Sequence, residues 1–136
     1  MSNKKYASID VGLKRIGVAI SVGLGIVTPQ NAIMRKNRNQ ASKDTDAFLQ
    51  EWEIDILVVG TPGANIDMQN RIKHFTALLE FSKEIIFQEE NMSSIEAEEL
   101  TRGQIKHKRD GRIDSIAAKI ILERYLQTIK QAPKTN

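Results

Sequence analysis

Three carboxylates in this sequence stand where an apolar element begins or ends. Asp10 lies near the end of the β-rich run "YASIDV", Glu90 follows the run "EIIFQE", and Asp114 stands at the head of the last apolar helical pattern. Strand ends on one side of an open α/β sheet are where ligand sites form. Carboxylates that converge there suit Mg²⁺, which takes oxygen ligands and keeps waters and substrate phosphates in its shell. Such a set would serve phosphoryl displacement, in which two ions about 3.5–4 Å apart hold the attacking and leaving oxygens.

Each acid also has a purely structural interpretation. Asp114 in the first turn of a helix would stabilise that helix by about 0.3–1 kcal/mol, and Glu90 would be a solvated residue before the next helix. Asp10 is harder to explain in this way, because strand interiors are poor in aspartate. The next run presents only small side chains on one face, from Gly17 to Ser21. That face has room for a ligand or for a packed helix.

The basic residues concentrate in two segments. Lys14 and Arg15 follow Asp10 in the loop between the first two predicted strands. The net charge of +3 is mild. Residues 102–112, "RGQIKHKRDGR", come after an acidic stretch, and they carry five basic side chains and one acid. Such a segment is suited to neutralising phosphates, and a solvated loop is the alternative. The basic side chains are Arg102, Lys106, Lys108, Arg109 and Arg112. We interpret His107, in the same segment, as a surface residue, and His74 as a structural residue on a helix.

Hydrophobic periodicity predicts the element order β-β-β-α-β-α-β-α-α. Residues 5–11 and 16–22 form a hairpin with a glycine-containing loop, and Pro29 in the third run indicates an edge strand or a bulge. "IDILVVG", residues 54–60, is a continuous apolar run typical of a strand buried on both faces. Helices are predicted over about 39–53, 67–82, 93–103 and 113–130. Antiparallel strands followed by alternating strands and helices predict a mixed sheet covered on both faces.

Length and composition limit the classes of protein that this chain can belong to. Its 136 residues suit one domain, expected over 1–129, with a disordered tail at 130–136. Cysteine is absent, which excludes disulfides and thiolate metal sites. No apolar run approaches the roughly 20 residues of a membrane span, and the first one meets Asp10 too early for a signal peptide. We therefore expect a soluble cytoplasmic protein with no membrane partner.

The stretch "IDVGLKRIGVA" resembles the opening motif of the YqgF (RuvX) family, a compact RNase H-like group related to the resolvase RuvC. That motif reads Asp-x-Gly-x-(Lys/Arg)-Arg-Ile-Gly-Val-Ala, and every specified position is filled here, from Asp10 to Ala19. Three later segments are similar to the family's remaining motifs: "ILVVGTP", "EENMSSIEA" and "DSIAAKIILERYL". The four occur in the family's order over about residues 5–127.

The resemblance implies an α/β, RNase H-like three-layer fold. Its mixed five-stranded sheet would have three antiparallel strands and then parallel ones, with helices on both faces. It also implies a metal-dependent nuclease whose acidic triad, Asp10, Glu90 and Asp114, binds Mg²⁺ or Mn²⁺. Lys14, Arg15 and the basic segment 102–112 would hold the nucleic-acid backbone.

The family resemblance favours processing of the 5′ end of pre-16S rRNA, and resolution of Holliday junctions is the alternative. The expected partners are structured RNA, pre-rRNA or branched DNA, and ribosomal precursor particles, bound by a monomer or a homodimer. Three positions depart from the family pattern without removing a triad carboxylate. Asn91 replaces arginine, Glu89 replaces aspartate and Thr61 replaces leucine. Asn91 removes the charge and the donor fork of an arginine, so the departures bear on substrate preference.

Two other functions compete with nuclease activity. Actin-like ATPases begin with a similar strand-Asp-x-Gly hairpin that cradles nucleotide phosphates, but that architecture needs two such domains. A non-catalytic nucleic-acid-binding module is the rival from another class. It predicts binding that survives Asp10→Asn and no cleavage with Mg²⁺ or Mn²⁺.

Overall fold

A computed structural model describes residues 4–89 and 112–131, with side chains of the last segment described from 115 to 129. Five strands of the described chain form one sheet in the order β3-β2-β1-β4-β5. The strands are β1 (Tyr6–Val11), β2 (Arg15–Ser21), β3 (Thr28–Met34), β4 (Ile56–Thr61) and β5 (Glu84–Glu89). The helices are α1 (Arg38–Glu51), α2 (Ile66–Ala77) and α3 (Arg112–Gln131).

The sheet is mixed, as the sequence predicts. β1 pairs antiparallel with β2, and β2 pairs antiparallel with β3. β4 lies parallel to both β1 and β5. Pro29 lies in β3 at the edge of the sheet, and the β2–β3 register shifts between Ile16 and Val18. The expected edge position is therefore confirmed, whereas Pro29 itself pairs in register with Ala19 and the irregularity lies farther along β3.

The helices cover both faces of the sheet, which confirms the three-layer prediction. One face of β1 and β2 packs against α1 and α2, through residues such as Ile9, Leu49 and Phe75. On the other face, Ala19 and Val58 pack against α3. Alternation along the strands separates these two sets, because neighbouring residues of a strand point to opposite faces.

Asparagine side chains fix the starts of α1 and α2. The Asn37 side chain accepts a hydrogen bond from the backbone N–H of Gln40. The Gln40 side chain accepts one from the backbone N–H of Asn37, and the two bonds form a capping box. Asn65 caps α2 through one bond, in which its side chain accepts from the backbone N–H of Met68.

Helix α2 ends at Ala77, earlier than the predicted end near residue 82. The chain turns away from the helix there, and the backbone N–H of Glu80 donates to Asp46 Oδ2 at 2.9 Å. The helix predicted over 93–103 lies outside the described residues. No helix in the described ranges is long and apolar enough to span a membrane.

Candidate active site

Asp10 lies one residue before the end of the central strand β1. It is half-buried and opposes Gly17 of β2. In the parallel pairing Ile9 opposes Val59, so Asp10 is level with Gly60 of β4. Alternation places Asp10 on the α3 side of the sheet, because Ala7, Ile9 and Val11 fill the core on the other side. The predicted position of Asp10, at a strand end and away from that core, is confirmed.

The two glycines level with Asp10 have different roles. Gly17 is buried and adds no side chain beside the carboxylate. A Cβ on Gly60 would overlap Cδ1 of Ile121 and approach Cγ1 of Ile121 to 3.1 Å. Gly60 therefore lets α3 pack closely onto β4.

Two buried serines fix α3 across the central strands. The Ser8 hydroxyl donates to the backbone oxygen of Ala118 at 2.6 Å. The Ser115 hydroxyl accepts from the backbone N–H of Val18 at 3.3 Å. Both serines are fully buried, with 0% exposure. Because unpaired polar groups are costly to bury, these two bonds define where α3 sits on the sheet.

The anchored start of α3 brings the backbone of Asp114 near Asp10. Residue 114 lies in the first turn of α3 and directly precedes Ser115. Ser115 contacts Val18, whose chain neighbour Gly17 opposes Asp10. The structure thus brings these two sequence positions to the same part of the molecule, whereas the side chain of Asp114 lies outside the described ones.

Glu90 lies outside the described residues, but the strand before it is described. β5 ends at Glu89, and β1, β4 and β5 run parallel, so all three end at one edge of the sheet. Within the described residues there is no group of three or more His, Cys, Asp or Glu side chains that could hold a metal ion. The ligand set of Asp10, Glu90 and Asp114 therefore stays a prediction.

The β1–β2 turn presents the predicted basic pair beside Asp10. The backbone N–H of Gly12 donates to the carbonyl of Arg15 at 3.0 Å. A Cβ at Gly12 would come within 2.6 Å of that oxygen, so the turn needs glycine. Lys14 is exposed and Arg15 is half-buried at the start of β2. Their contact with a substrate stays a prediction.

The predicted basic segment 102–112 lies outside the described residues, except for the backbone of Arg112 at the start of α3. His107 is also outside. His74 lies on α2 as predicted, and its side chain is exposed. It contacts Arg38, with 3.0 Å between Nη1 and Nε2.

Sequence reasoning missed a second group of basic residues near the β1–β2 turn. Arg35, Arg38 and Arg71 line one cavity together with His74. They come from two separate places in the chain, the β3–α1 junction and α2, so no single short motif marks the group. The local signals are the basic run from Arg35 to Arg38 and the spacing of Arg71 and His74, which places both on one side of a helix.

The arrangement of strands and helices is that of the RNase H-like resolvases. RuvC of T. thermophilus, solved with a Holliday junction substrate, superposes with a TM-score of 0.59 at 12% identity, covering 95% of this chain and 96% of that one. The fowlpox virus Holliday junction resolvase gives a TM-score of 0.56 at 15% identity, covering 91% and 99%. At such low identity the likeness establishes the fold alone.

The sequence itself then identifies the family. The family described as RuvX, Holliday junction resolvase, matches residues 4–128. A Sulfurovum protein is 59% identical over 125 residues, covering 90% of this chain and 98% of its own. A Sulfurimonas denitrificans protein is 55% identical over 126 residues, covering 90% and 97%. Both are named as candidate pre-16S rRNA nucleases. This chain belongs to the RuvX family, which confirms the resemblance found in its motifs.

Proposed function

We propose that this chain, a nuclease of the RuvX family, hydrolyses phosphodiester bonds at the 5′ end of precursor 16S rRNA with a divalent metal ion. The names of its relatives support this substrate, because the relatives align with 90% of this chain. The structural observation that carries the proposal is Asp10, at the end of the central strand beside the anchored start of α3. The role would place the protein in the cytoplasm, on ribosomal precursor particles.

The chemistry of the donor set fits Mg²⁺ or Mn²⁺. Asp10 offers hard oxygen ligands from a half-buried position, and Gly17 opposite it adds no competing side chain. Asp10, Glu90 and Asp114 would hold the ion. When bound, the ion supplies Lewis-acid stabilisation of the phosphoryl oxygens and an activated water.

The other residues of the site would bind the substrate or position the metal ligands. Ser8 and Ser115 hold α3 on the sheet, which fixes the backbone of Asp114 relative to Asp10. Lys14 and Arg15 project from a turn that Gly12 constrains, and they would bind the phosphates next to the one that is cleaved.

The test compares wild type, Asp10→Asn and Asp44→Asn on a precursor 16S rRNA fragment with Mg²⁺ or Mn²⁺. Asp44 is an exposed acid on α1, on the opposite side of the sheet, so it controls for the loss of one carboxylate. Changing a residue that only supports a metal ligand costs about 10–100-fold. Loss of the ligand itself should therefore lower cleavage by more than about 100-fold, while Asp44→Asn cuts as wild type does. Equal cleavage by all three proteins would refute the assignment of Asp10.

Resolution of branched DNA is the second candidate, favoured by the name of the matched family. A four-way DNA junction in the same assay decides between the two substrates. If the folded wild type binds precursor rRNA and branched DNA and cuts neither with either metal, the chain is a binding module. That result would overturn the nuclease proposal.

A further inference from the structure

A basic cavity lies beside the β1–β2 turn, on the α1 and α2 side of the sheet. Its volume is about 520 Å³. Three of its lining side chains are guanidinium groups, and no carboxylate of the described residues lines it. The lining residues are Leu13, Arg35, Arg38, Asn70, Arg71 and His74.

The three arginines form no ion pair with any carboxylate in the described part of the chain. Arg35 Nη1 donates to the backbone oxygen of Gly12 at 2.7 Å, and its guanidinium lies 5.5 Å from the centre of the Phe75 ring. Arg38 donates to His74, since a guanidinium has no acceptor. These contacts orient two positive groups without neutralising them. A concave site with several uncompensated guanidiniums is suited to phosphate, which they bind bidentately.

The cavity is close to Asp10 along the chain. Leu13 is three residues after Asp10 and lines the cavity, with 62% of its surface exposed. Three extended residues span at most about 10 Å. Gly12, which Arg35 contacts, is closer still. The β1–β2 turn therefore separates the cavity from Asp10, so that one continuous backbone crossing the turn could reach both.

We propose that this cavity, the Arg35–His74 cleft, binds a phosphate of the nucleic-acid substrate a few nucleotides from the cleaved bond. Arg38 and Arg71 are exposed and bind the phosphate, Arg35 is held in place by Gly12 and Phe75, and Asn70 adds an amide. The choice of nucleic acid as ligand rests on the proposed function. The cleft then sets the register of the strand relative to Asp10, because phosphate contacts position a backbone without reading sequence.

Binding is measured in an Asp10→Asn background, so that the substrate stays intact. The probe is a fluorescein-labelled RNA that spans the junction between the 5′ leader and 16S rRNA, titrated by fluorescence anisotropy. The variant is Arg38→Gln/Arg71→Gln. Loss of one charge-assisted contact should weaken binding about tenfold for each arginine. For a single strand, loss of the contact with this one phosphate should also reduce the salt slope of log K by about 0.7.

The matched control is Lys43→Gln/Arg124→Gln, which removes the same charge from α1 and α3 outside the cleft. Both control residues are exposed. The Debye length is about 10 Å at 0.1 M salt and neither residue lines the cleft, so this control should change affinity less than about threefold. Arg38→Lys/Arg71→Lys keeps the charge and loses the fork, and we expect an intermediate affinity. Thermal unfolding of each variant verifies that it is folded.

The outcomes separate this inference from the proposed function. If the cleft variant binds RNA as tightly as the control while Asp10-intact protein cuts rRNA, the inference is wrong and the nuclease proposal stands. If the cleft variant loses affinity but no protein cuts, the inference stands and the nuclease proposal fails. If the cleft variant loses binding of inorganic phosphate yet keeps its RNA affinity, the cleft is a small-anion site and the inference is overturned.

Discussion

Gly60→Ala tests whether close packing of α3 on β4 contributes to the stability of the site. The added Cβ would overlap Cδ1 of Ile121, and its distance to Cγ1 would be 3.1 Å. Ile121 is 1% exposed, so its side chain has little room to move. Isoleucine in a helix also has one strongly preferred χ1 rotamer. We therefore expect α3 to move away from the sheet or Ile121 to adopt a strained rotamer.

The free energy of unfolding should fall by about 1–2 kcal/mol. Overpacking a core by one methyl group costs about 1–3 kcal/mol. The alanine also restricts the unfolded chain, which offsets roughly 0.4–1 kcal/mol. Ile121→Val alone should cost about 0.5–1.5 kcal/mol. Because Val lacks the Cδ1 atom that the new Cβ meets, the double variant should be more stable than the sum predicts by about 1 kcal/mol.

Urea unfolding followed by the fluorescence of Trp52 measures these differences. Trp52 is the single tryptophan of the chain and packs against the core next to α1. With a typical m value of about 1.5 kcal/mol/M, a loss of 1.5 kcal/mol lowers the urea midpoint by about 1 M. Gly23→Ala is the control, because nothing lies within 4 Å of a Cβ there. It should stay within about 0.5 kcal/mol of wild type.

Additivity would refute this reasoning. If the two single substitutions sum to the double variant within about 0.3–0.5 kcal/mol, Gly60 and Ile121 are not coupled. A Gly60→Ala protein as stable as wild type would likewise show that α3 accommodates the methyl group without strain.

Three further predictions concern single hydrogen-bonded groups. The backbone N–H of Lys5, at 2.8 Å, and the Lys83 ammonium hold the pKa of Asp55 below its ordinary 3.8. Asp55→Asn should therefore destabilise at neutral pH, and its difference from wild type in urea midpoint should shrink as the pH falls below 3.8. Asn37→Ala removes the cap of α1 and should cost about 1 kcal/mol in urea unfolding. Ser8→Ala removes the buried hydroxyl bond to α3 and should cost about 0.5–1.5 kcal/mol.

A specific result would contradict each of these three predictions. A constant Asp55→Asn difference between pH 7 and pH 3 would mean that the carboxylate contributes nothing through its charge. Asn39→Ala, within α1, is the control for the cap and should not destabilise. A Ser8→Ala protein with unchanged stability would show that the bond to Ala118 is replaceable.

Periodicity predicted the interior of the sheet well, because β1, β2 and β4 are apolar runs that are mostly buried on both faces. The run "IDILVVG" became the interior strand β4, and Pro29 marked the edge. The end of α2 was misplaced, since Leu78 and Leu79 continue the apolar pattern beyond Ala77. The backbone N–H of Glu80 donates to Asp46 on another helix, and this bond contributes to ending α2. A local sequence pattern does not encode such a long-range contact.

The position of Asp10 in the fold was predictable because this residue violates a local rule. Asp10 stood out because strands are poor in aspartate, and the structure places it at a strand end beside α3. The Arg35–His74 cleft gave no such signal, because arginines are common on surfaces and only the packing of α2 near the turn brings Arg71 to Arg38 and Arg35. The serine bonds to α3 were equally hidden, since Ser8 and Ala118 are 110 positions apart.

That separation has a consequence for the synthesis of the protein. At about 5–20 residues per second, Ser8 and Ala118 leave the ribosome roughly 5–20 s apart. Until then the small-residue side of β1 and β2 has no α3 to cover it, and the backbone of Asp114 is not beside Asp10. A growing or prematurely terminated chain would therefore hold Asp10 without a finished site. If the chain matures ribosomal RNA as proposed, cutting would begin only once α3 has left the ribosome and packed on the sheet.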